Sequence, residues 1–316
     1  MSFSFEVKKE LCSKNEAPRH CNIAEICAII NTCGTISFTE SGAFIKIQTE
    51  SASVAKRYFM LIKNNFNVSG SLSSAKSLKF KKNRQYSVLI DDEAAAGKIL
   101  NAAGILDSNS KSTNLNKGVN ALVVKSTCCK RAYIRGAFIS GGSVTTPEKG
   151  YHIEFVNHDA DLSAALSLII NSFGLNSKVT VRKSYYVTYI KDVDNIIDLI
   201  NVMDAPISLM NFENARILKD MRNNVNRRVN CETANINKTV DAALKQIDDI
   251  KYIFEQKKQE HLSDQLLEIA ELRLKNPESS LKELGNMLTR PVGKSGVNHR
   301  LRKLSEIADD LRAGGQ

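Results

Sequence analysis

The chain has 316 residues, which is enough for two or three domains and a sizeable hydrophobic core. Its 44 Lys and Arg residues exceed its 34 Asp and Glu residues, and the formal net charge of +10 favours an anionic partner. With 42% hydrophobic and 25% charged residues, the composition excludes collagen-like and wholly disordered proteins.

The sequence shows no membrane or secretion signal. No stretch approaches the roughly 18 consecutive apolar residues of a membrane span. Residues 1–10 lack the apolar core of a signal peptide. We therefore expect a cytoplasmic protein without a membrane partner.

Seven cysteines are spread along the chain, an odd number with no C-x-x-C motif and no Cys/His group at zinc-finger spacing. This pattern predicts reduced thiols, several of them small apolar residues on helix faces, and neither a metal site nor a cofactor. The cysteines are Cys12, Cys21, Cys27, Cys33, Cys128, Cys129 and Cys231.

An internal repeat organises the first two thirds of the chain. Residues 26–36 align with residues 134–144 at a constant offset of 108, which pairs Gly34 with Gly142. Strand and helix patterns then follow in the same order in both copies, at 45–47 and 152–155, 54–66 and 162–173, and 86–90 and 186–190. Each copy is therefore predicted to be an αββαββα unit.

The repeat and the shifts in composition divide the chain into five predicted segments. They are a first repeat copy, a polar connecting loop, a second copy, a helix with a linker, and a helical C-terminal domain. Their ranges are 1–106, 107–120, 121–210, 211–230 and 231–316.

A small residue, Ala28 or Gly136, lies in the middle of each repeated helix and allows two helices to approach closely. The pair resembles the LAGLIDADG helices of homing endonucleases, where an acid before the terminal Gly of each helix binds the metal used for phosphodiester cleavage. Here those positions hold Cys33 and Gly141, neither of which offers the oxygen ligand that Mg²⁺ prefers. We predict a scaffold without catalytic residues, and no enzyme activity.

Basic residues are enriched in the predicted sheets of both copies, and residues 71–90 contain five of them and no acid. In LAGLIDADG endonucleases the sheet surface straddles DNA, so these residues are candidates for phosphate contacts. A solvated sheet face and a protein-binding or dimerisation surface are the alternatives. The candidates are Lys79, Lys81, Lys82, Arg84, Arg182 and Lys183.

Helix signals replace strand signals after residue 211. Amphipathic helices are predicted at 238–258 and 263–274. Residues 280–283, Ser-Leu-Lys-Glu, form a capping box that opens a further helix. Residues 289–294 contain Pro and Gly and cannot continue that helix.

A second helix is predicted to begin near Ser295, with an apolar stripe of Val297, Leu301, Leu304 and Ala308. Two short helices joined by a turn, the second polar and basic, predict a helix-turn-helix that enters the major groove. A solvated helical hairpin is the alternative. Candidates for base contacts are Ser295, Asn298 and His299. Candidates for phosphate contacts are Lys294, Arg300, Arg302 and Lys303, and Arg302 can also read guanine.

Several longer strings resemble the WhiA family of bacterial regulators. They are SFEVKKE at 4–10, YIRGAFISGGS at 133–143, NCETANINK at 230–238, and SLKELG at 280–285 followed by KSGVNHRLRKL at 294–304. The resemblance implies an α+β fold, with a duplicated LAGLIDADG-like domain before an all-α helix-turn-helix domain.

In function, the resemblance implies a sequence-specific regulator that binds double-stranded DNA at the nucleoid and lacks endonuclease activity. It also implies a role in sporulation, or in cell division and chromosome segregation. Two other classes remain open: an active endonuclease or RNA-splicing maturase, and a DNA-tethered scaffold for regulatory or cell-division proteins. The oligomeric state is left open.

Overall fold

The computed structural model describes residues 2–14, 17–39, 42–68, 70–76, 84–106, 115–116, 118–256, 258 and 262–313. The chain divides into two compact units, Met1–Asp220 and Met221–Gln316. Among the described residues, no helix combines the length and the apolar character needed to cross a bilayer.

The described residues of the first repeat copy form helices and strands. They are α1 (Phe3–Cys12), α2 (Arg19–Cys33), β1 (Gly34–Phe38), β2 (Ala43–Thr49), α3 (Ala52–Phe66), β3 (Ser71–Lys76), β4 (Arg84–Ile90) and α4 (Glu93–Ala102). Helix α1 precedes the predicted unit and was not expected. It begins where the Ser2 hydroxyl accepts the Phe5 N–H at 3.3 Å, and it buries Phe3, Val7 and Leu11.

The second copy repeats the same order from α2 onward, and its described residues include no counterpart of α1. Its elements are α5 (Thr127–Gly141), β5 (Gly142–Val144), β6 (Ile153–Asn157), α6 (Ala160–Asn171), β7 (Lys178–Arg182), β8 (Tyr185–Ile190) and α7 (Val193–Val202). The predicted αββαββα order is therefore confirmed in both copies.

Each copy forms a four-stranded antiparallel sheet, in the order β1-β2-β4-β3 and β5-β6-β8-β7. Alternation along the strands sends one set of side chains towards the helices. In the first sheet Ile45 pairs with Ile36 and Ile90, and in the second Ile153 pairs with Ile190. The opposite side of each sheet, which we call the outer face, carries the alternate residues.

The described residues after α7 form α8 (Pro206–Glu255), α9 (Asp264–Lys275), α10 (Leu281–Met287) and α11 (Lys294–Ala313). The sequence predicted a helix with a linker over 211–230 and a separate helix from residue 238, and this was wrong, because α8 is one helix of 50 residues. Neither Pro nor Gly occurs between residues 207 and 255, so no residue there interrupts the helical hydrogen bonds.

The second unit has its own hydrophobic core, to which the end of α8 and helices α9, α10 and α11 all contribute. The predicted stripe of α11 is buried in it. The core residues are Ile250, Ile253, Leu266, Ile269, Ala270, Leu284, Leu288, Val297, Leu301, Leu304 and Ala308.

Candidate nucleic-acid interface

The start of α10 is held by the predicted capping box. The Glu283 N–H donates to the Ser280 hydroxyl at 3.3 Å, and the Ser280 N–H donates to the Glu283 carboxylate at 2.7 Å. The hydrogen bonds from Ser280 lower the pKa of the Glu283 carboxyl. The first helix of the pair therefore has a defined beginning.

The chain turns tightly between α10 and α11 because Gly285 has no side chain. A Cβ at this position would lie 2.3 Å from the carbonyl oxygen of Val292, a distance that side chains do not tolerate. The Val292 N–H also donates to the Gly285 carbonyl at 3.2 Å. The turn backbone is thus packed directly on α10, which sets where α11 can begin.

Glu268, on α9, holds the same turn from outside. Its carboxylate accepts the Thr289 N–H at 2.6 Å and the Thr289 hydroxyl at 2.7 Å. These hydrogen bonds, and to a smaller extent the charge of Arg300, lower the pKa of Glu268. Glu268 lies 21 positions before Thr289, and no local sequence pattern links the two residues, so the sequence did not indicate this contact.

The early turns of α11 present polar and basic side chains to solvent. Six of the seven candidates from the sequence are exposed: Lys294, Ser295, Asn298, His299, Arg302 and Lys303. The seventh, Arg300, is half-buried and interacts electrostatically with Glu268. The Arg302 guanidinium lies 3.2 Å from the Glu306 carboxylate, one turn further along the helix. The structure therefore brings six candidates together on the open side of one helix.

The two repeated helices, α2 and α5, approach each other as the sequence predicted. A Cβ on Gly136 would lie 2.6 Å from the Glu25 carbonyl oxygen and 2.9 Å from the Ala28 Cβ. Only glycine fits at this contact, because the backbone of one helix faces it directly.

The carboxyl ends of these helices offer no oxygen ligand at the two positions that bind metal in LAGLIDADG endonucleases. A Cβ on Gly141 would lie 2.4 Å from the Thr32 methyl and 2.9 Å from the Val156 carbonyl oxygen, so a carboxylate side chain does not fit there. The Cys33 thiol lies 3.4 Å from the Ile29 carbonyl, and burial raises its pKa to about 12, so it is neutral at physiological pH.

The outer face of the second sheet carries one of the two candidates of that copy. Arg182 lies on this face, 3.2 Å from the Glu154 carboxylate, which also interacts with His152. Burial favours a higher pKa for Glu154, but the hydrogen bond from His152 and the charge of Arg182 outweigh it and lower the pKa. Lys183 is exposed in the turn after β7, with φ of 57°.

The candidates of the first sheet are placed differently. Arg84 is exposed. Along β4 it shares a side of the sheet with Tyr86 and Val88, which is the side that faces the helices and not the outer face. Lys79, Lys81 and Lys82 lie outside the described residues.

Three family models match the chain in succession. The WhiA N-terminal LAGLIDADG-like domain matches residues 19–106, the WhiA LAGLIDADG-like domain matches residues 130–222, and the WhiA C-terminal HTH domain matches residues 225–308. These matches confirm the predicted class of fold, a duplicated LAGLIDADG-like domain followed by a helix-turn-helix domain.

Curated relatives match along the whole chain. The "Probable cell division protein WhiA" of Clostridium beijerinckii is 49% identical over 312 residues, which covers 99% of either chain. The protein of the same name from Clostridium botulinum strain Hall is 45% identical over 314 residues and covers 99% of this chain and 100% of that one. The crystal structure of full-length DUF199/WhiA from Thermatoga maritima shares the fold, with a TM-score of 0.56, 23% identity, and coverage of 98% and 99%.

Proposed function

The chain belongs to the WhiA family. On that premise we propose that it binds specific sequences of double-stranded DNA through α10 and α11 and thereby regulates transcription. In this proposal α11 enters the major groove, which is wide enough for one α-helix. The LAGLIDADG-like unit adds phosphate or partner contacts without cleaving DNA.

The exposed side of α11 is the observation that carries this proposal. From Lys294 to Lys303 the helix contains no acidic residue, and the opposite side is buried in the core of its unit. A helix anchored in this way keeps its side chains in a defined orientation, which recognition of base edges requires. A merely solvated hairpin would need neither the close turn at Gly285 nor the anchor at Glu268.

The exposed residues divide into two roles by their chemistry. Asn298 can form two hydrogen bonds with adenine. Asn298 and His299 follow Ser295 by three and four residues, so all three side chains lie on the same side of the helix. Lys294 and Lys303 carry mobile point charges that suit phosphate oxygens. Arg302 can bind guanine or a phosphate oxygen when its ion pair with Glu306 breaks.

The test begins with a duplex selected by the purified full-length protein from a random-core library, and a scrambled duplex as reference. Binding is measured by fluorescence anisotropy at several salt concentrations. We expect Lys303→Ala to weaken binding to both duplexes and to reduce the salt slope by about one. We expect Asn298→Ala to weaken only the selected duplex, by about 1–3 kcal/mol.

Lys275→Ala is the matched control, since Lys275 is exposed on α9 of the same unit. It should leave both affinities unchanged. The proposal fails if no duplex is enriched, if Lys303→Ala leaves the salt slope as it was, or if Asn298→Ala weakens both duplexes equally.

The absence of nuclease activity is proposed from the residues at the carboxyl ends of α2 and α5. A cavity of about 350 Å³ beside the end of α5 is lined by Lys8, Glu50 and Ser140, among others. We expect no nicking of supercoiled plasmid in Mg²⁺ or Mn²⁺. Metal-dependent nicking that is lost in Glu50→Gln would favour an active endonuclease instead.

The names of the relatives, "Probable cell division protein WhiA", support a proposal for the cellular role. We propose that this chain acts in cell division, chromosome segregation or sporulation, in the cytoplasm at the nucleoid, alone or with a regulatory partner. Chromosomal occupancy mapped in cells should show discrete peaks that share the selected motif. Peaks that persist in Asn298→Ala would indicate recruitment by another protein.

A further inference from the structure

The amino-terminal ends of α2 and α5 bring four metal-binding side chains together. They are His20 and Cys21 at the start of α2 and Cys128 and Cys129 at the start of α5, and their ligand atoms all lie within 4.8 Å of one another. His20 Nδ1 lies 3.1 Å from the Cys129 sulfur and 3.4 Å from the Cys21 sulfur. This cluster is at the opposite end of the helices from Cys33 and Gly141.

The internal repeat explains how the four residues meet. His20 corresponds to Cys128, and Cys21 to Cys129, at the offset of 108 that relates the two helices. Both pairs occupy the second and third positions of their helices. Because α2 and α5 pack closely where Gly136 faces Ala28, their equivalent ends converge as well.

We propose that His20, Cys21, Cys128 and Cys129 bind one Zn²⁺ ion as a closed structural site with three thiolates and one imidazole. Zinc forms tetrahedral sites with this ligand set, whereas Mg²⁺ and Ca²⁺ require oxygen ligands. At a Zn–S distance of about 2.3 Å, sulfur ligands are about 3.8 Å apart. The four ligand atoms, all within 4.8 Å of one another, are therefore already close to the spacing that one zinc ion requires.

The surroundings suit such a site. Cys21 and Cys129 are buried, while His20 and Cys128 are exposed, so the ion has a route of entry from solvent and a closed inner side. Three thiolates and Zn²⁺ have a net charge of −1, which the positive ends of two helix dipoles favour. The metal would join the first repeat copy to the second.

The zinc content of the full-length protein tests this assignment. The protein is purified under reducing conditions from zinc-supplemented cells, and bound metal is measured by native mass spectrometry. We expect about one zinc ion per chain, and less than about a tenth of that in Cys128→Ser/Cys129→Ser. Cys231→Ser is the control, because Cys231 is an exposed cysteine outside the cluster, and it should retain the ion.

Cobalt substitution reports the ligands directly. Co²⁺ added to the metal-free protein should produce a thiolate-to-cobalt charge-transfer band and the visible spectrum of a tetrahedral ion. His20→Cys creates a four-cysteine site and should keep both the band and the zinc, whereas His20→Ala should weaken zinc binding by about tenfold or more.

A further measurement on the wild-type protein does not depend on whether the variants fold. Zinc should protect Cys128 from alkylation, and a chelator should remove this protection and lower Tm by about 5 °C or more. The assignment is overturned if the reduced wild-type protein neither holds zinc nor gives the cobalt band. It is also overturned if the double variant keeps its zinc, or if native mass shows a disulfide within the cluster in place of the metal.

Discussion

The Glu268 carboxylate holds the turn between α10 and α11. It lies on α9, yet it accepts two hydrogen bonds from Thr289 in the turn that precedes α11. Hydrogen bonds to an ionised carboxylate are stronger than those between neutral groups. The position of the turn therefore depends on the charge of a residue outside the helix-turn-helix pair.

Lowering the pH should weaken this anchor. Because the pKa of Glu268 is lowered in the folded protein, its contribution to stability is present above the unfolded pKa of about 4.3 and is lost as the pH falls through the lower folded value. We expect the NMR shift of the Thr289 amide proton to titrate below about pH 4.3.

Glu268→Gln keeps an acceptor oxygen at every pH and should abolish this titration. Glu271→Gln removes an exposed carboxylate on the same helix and should preserve it. An unchanged titration in Glu268→Gln would show that another group controls the turn.

At the scale of elements, three helices of the first unit meet at one buried carboxylate. Glu25 of α2 is fully buried and accepts from Arg57 of α3 at 2.7 and 3.0 Å and from Arg135 of α5 at 3.1 Å. Two guanidinium groups thus share a single negative charge. The arrangement connects both repeat copies across the contact between α2 and α5.

Glu25→Gln should destabilise the first unit by about 3–5 kcal/mol, because it leaves two buried guanidinium groups without an anion. The measurement is the urea midpoint of the first unit's unfolding, followed by circular dichroism. Glu148→Gln, at an exposed position, should change stability by less than about 0.5 kcal/mol. A loss of similar size in both variants would mean that the three-residue cluster has no special role.

For the whole molecule, the distribution of charge matters more than its total. The first unit contains 27 basic and 20 acidic residues, and the second contains 17 and 14, so most of the excess of +10 lies in the first unit. The second unit has the smaller share, but α11 begins with an acid-free basic window from Lys294 to Lys303. If the larger excess contributes to DNA binding, it does so through phosphates, without reading sequence.

The double variant Lys178→Ala/Lys183→Ala tests whether basic residues of the first unit contribute phosphate contacts without reading sequence. Both lysines are exposed in and after β7, and their removal should reduce the salt slope of DNA binding by about one to two while the ratio of selected to scrambled affinity stays constant. Lys56→Ala/Lys98→Ala, which removes the same charge from exposed positions on α3 and α4, is the control. An unchanged slope would instead favour the second sheet as a protein-binding surface.

Features that depend on neighbouring residues or on a regular period could be predicted from the amino-acid sequence. The capping box of Ser280 and Glu283 and the buried stripe of α11 involve residues within a few helical turns. The repeated helix, followed in both copies by strand and helix patterns in the same order, predicted the two αββαββα units. The same reasoning was wrong for α8, because a polar and exposed segment has no apolar period to reveal that a helix continues through it.

Which distant residues meet could not be predicted from the sequence, because such contacts are set by the packing of the whole fold. Four contacts join residues that no local pattern connects. They are those of Gly141 with Thr32, of Glu25 with Arg135, of Glu268 with Thr289, and of His20 with Cys129. Such contacts arise because packed helices and sheets bring chemically unrelated segments within hydrogen-bond distance, and that packing depends on the whole core. The seven cysteines therefore looked unrelated along the chain, although three of them share one cluster in space.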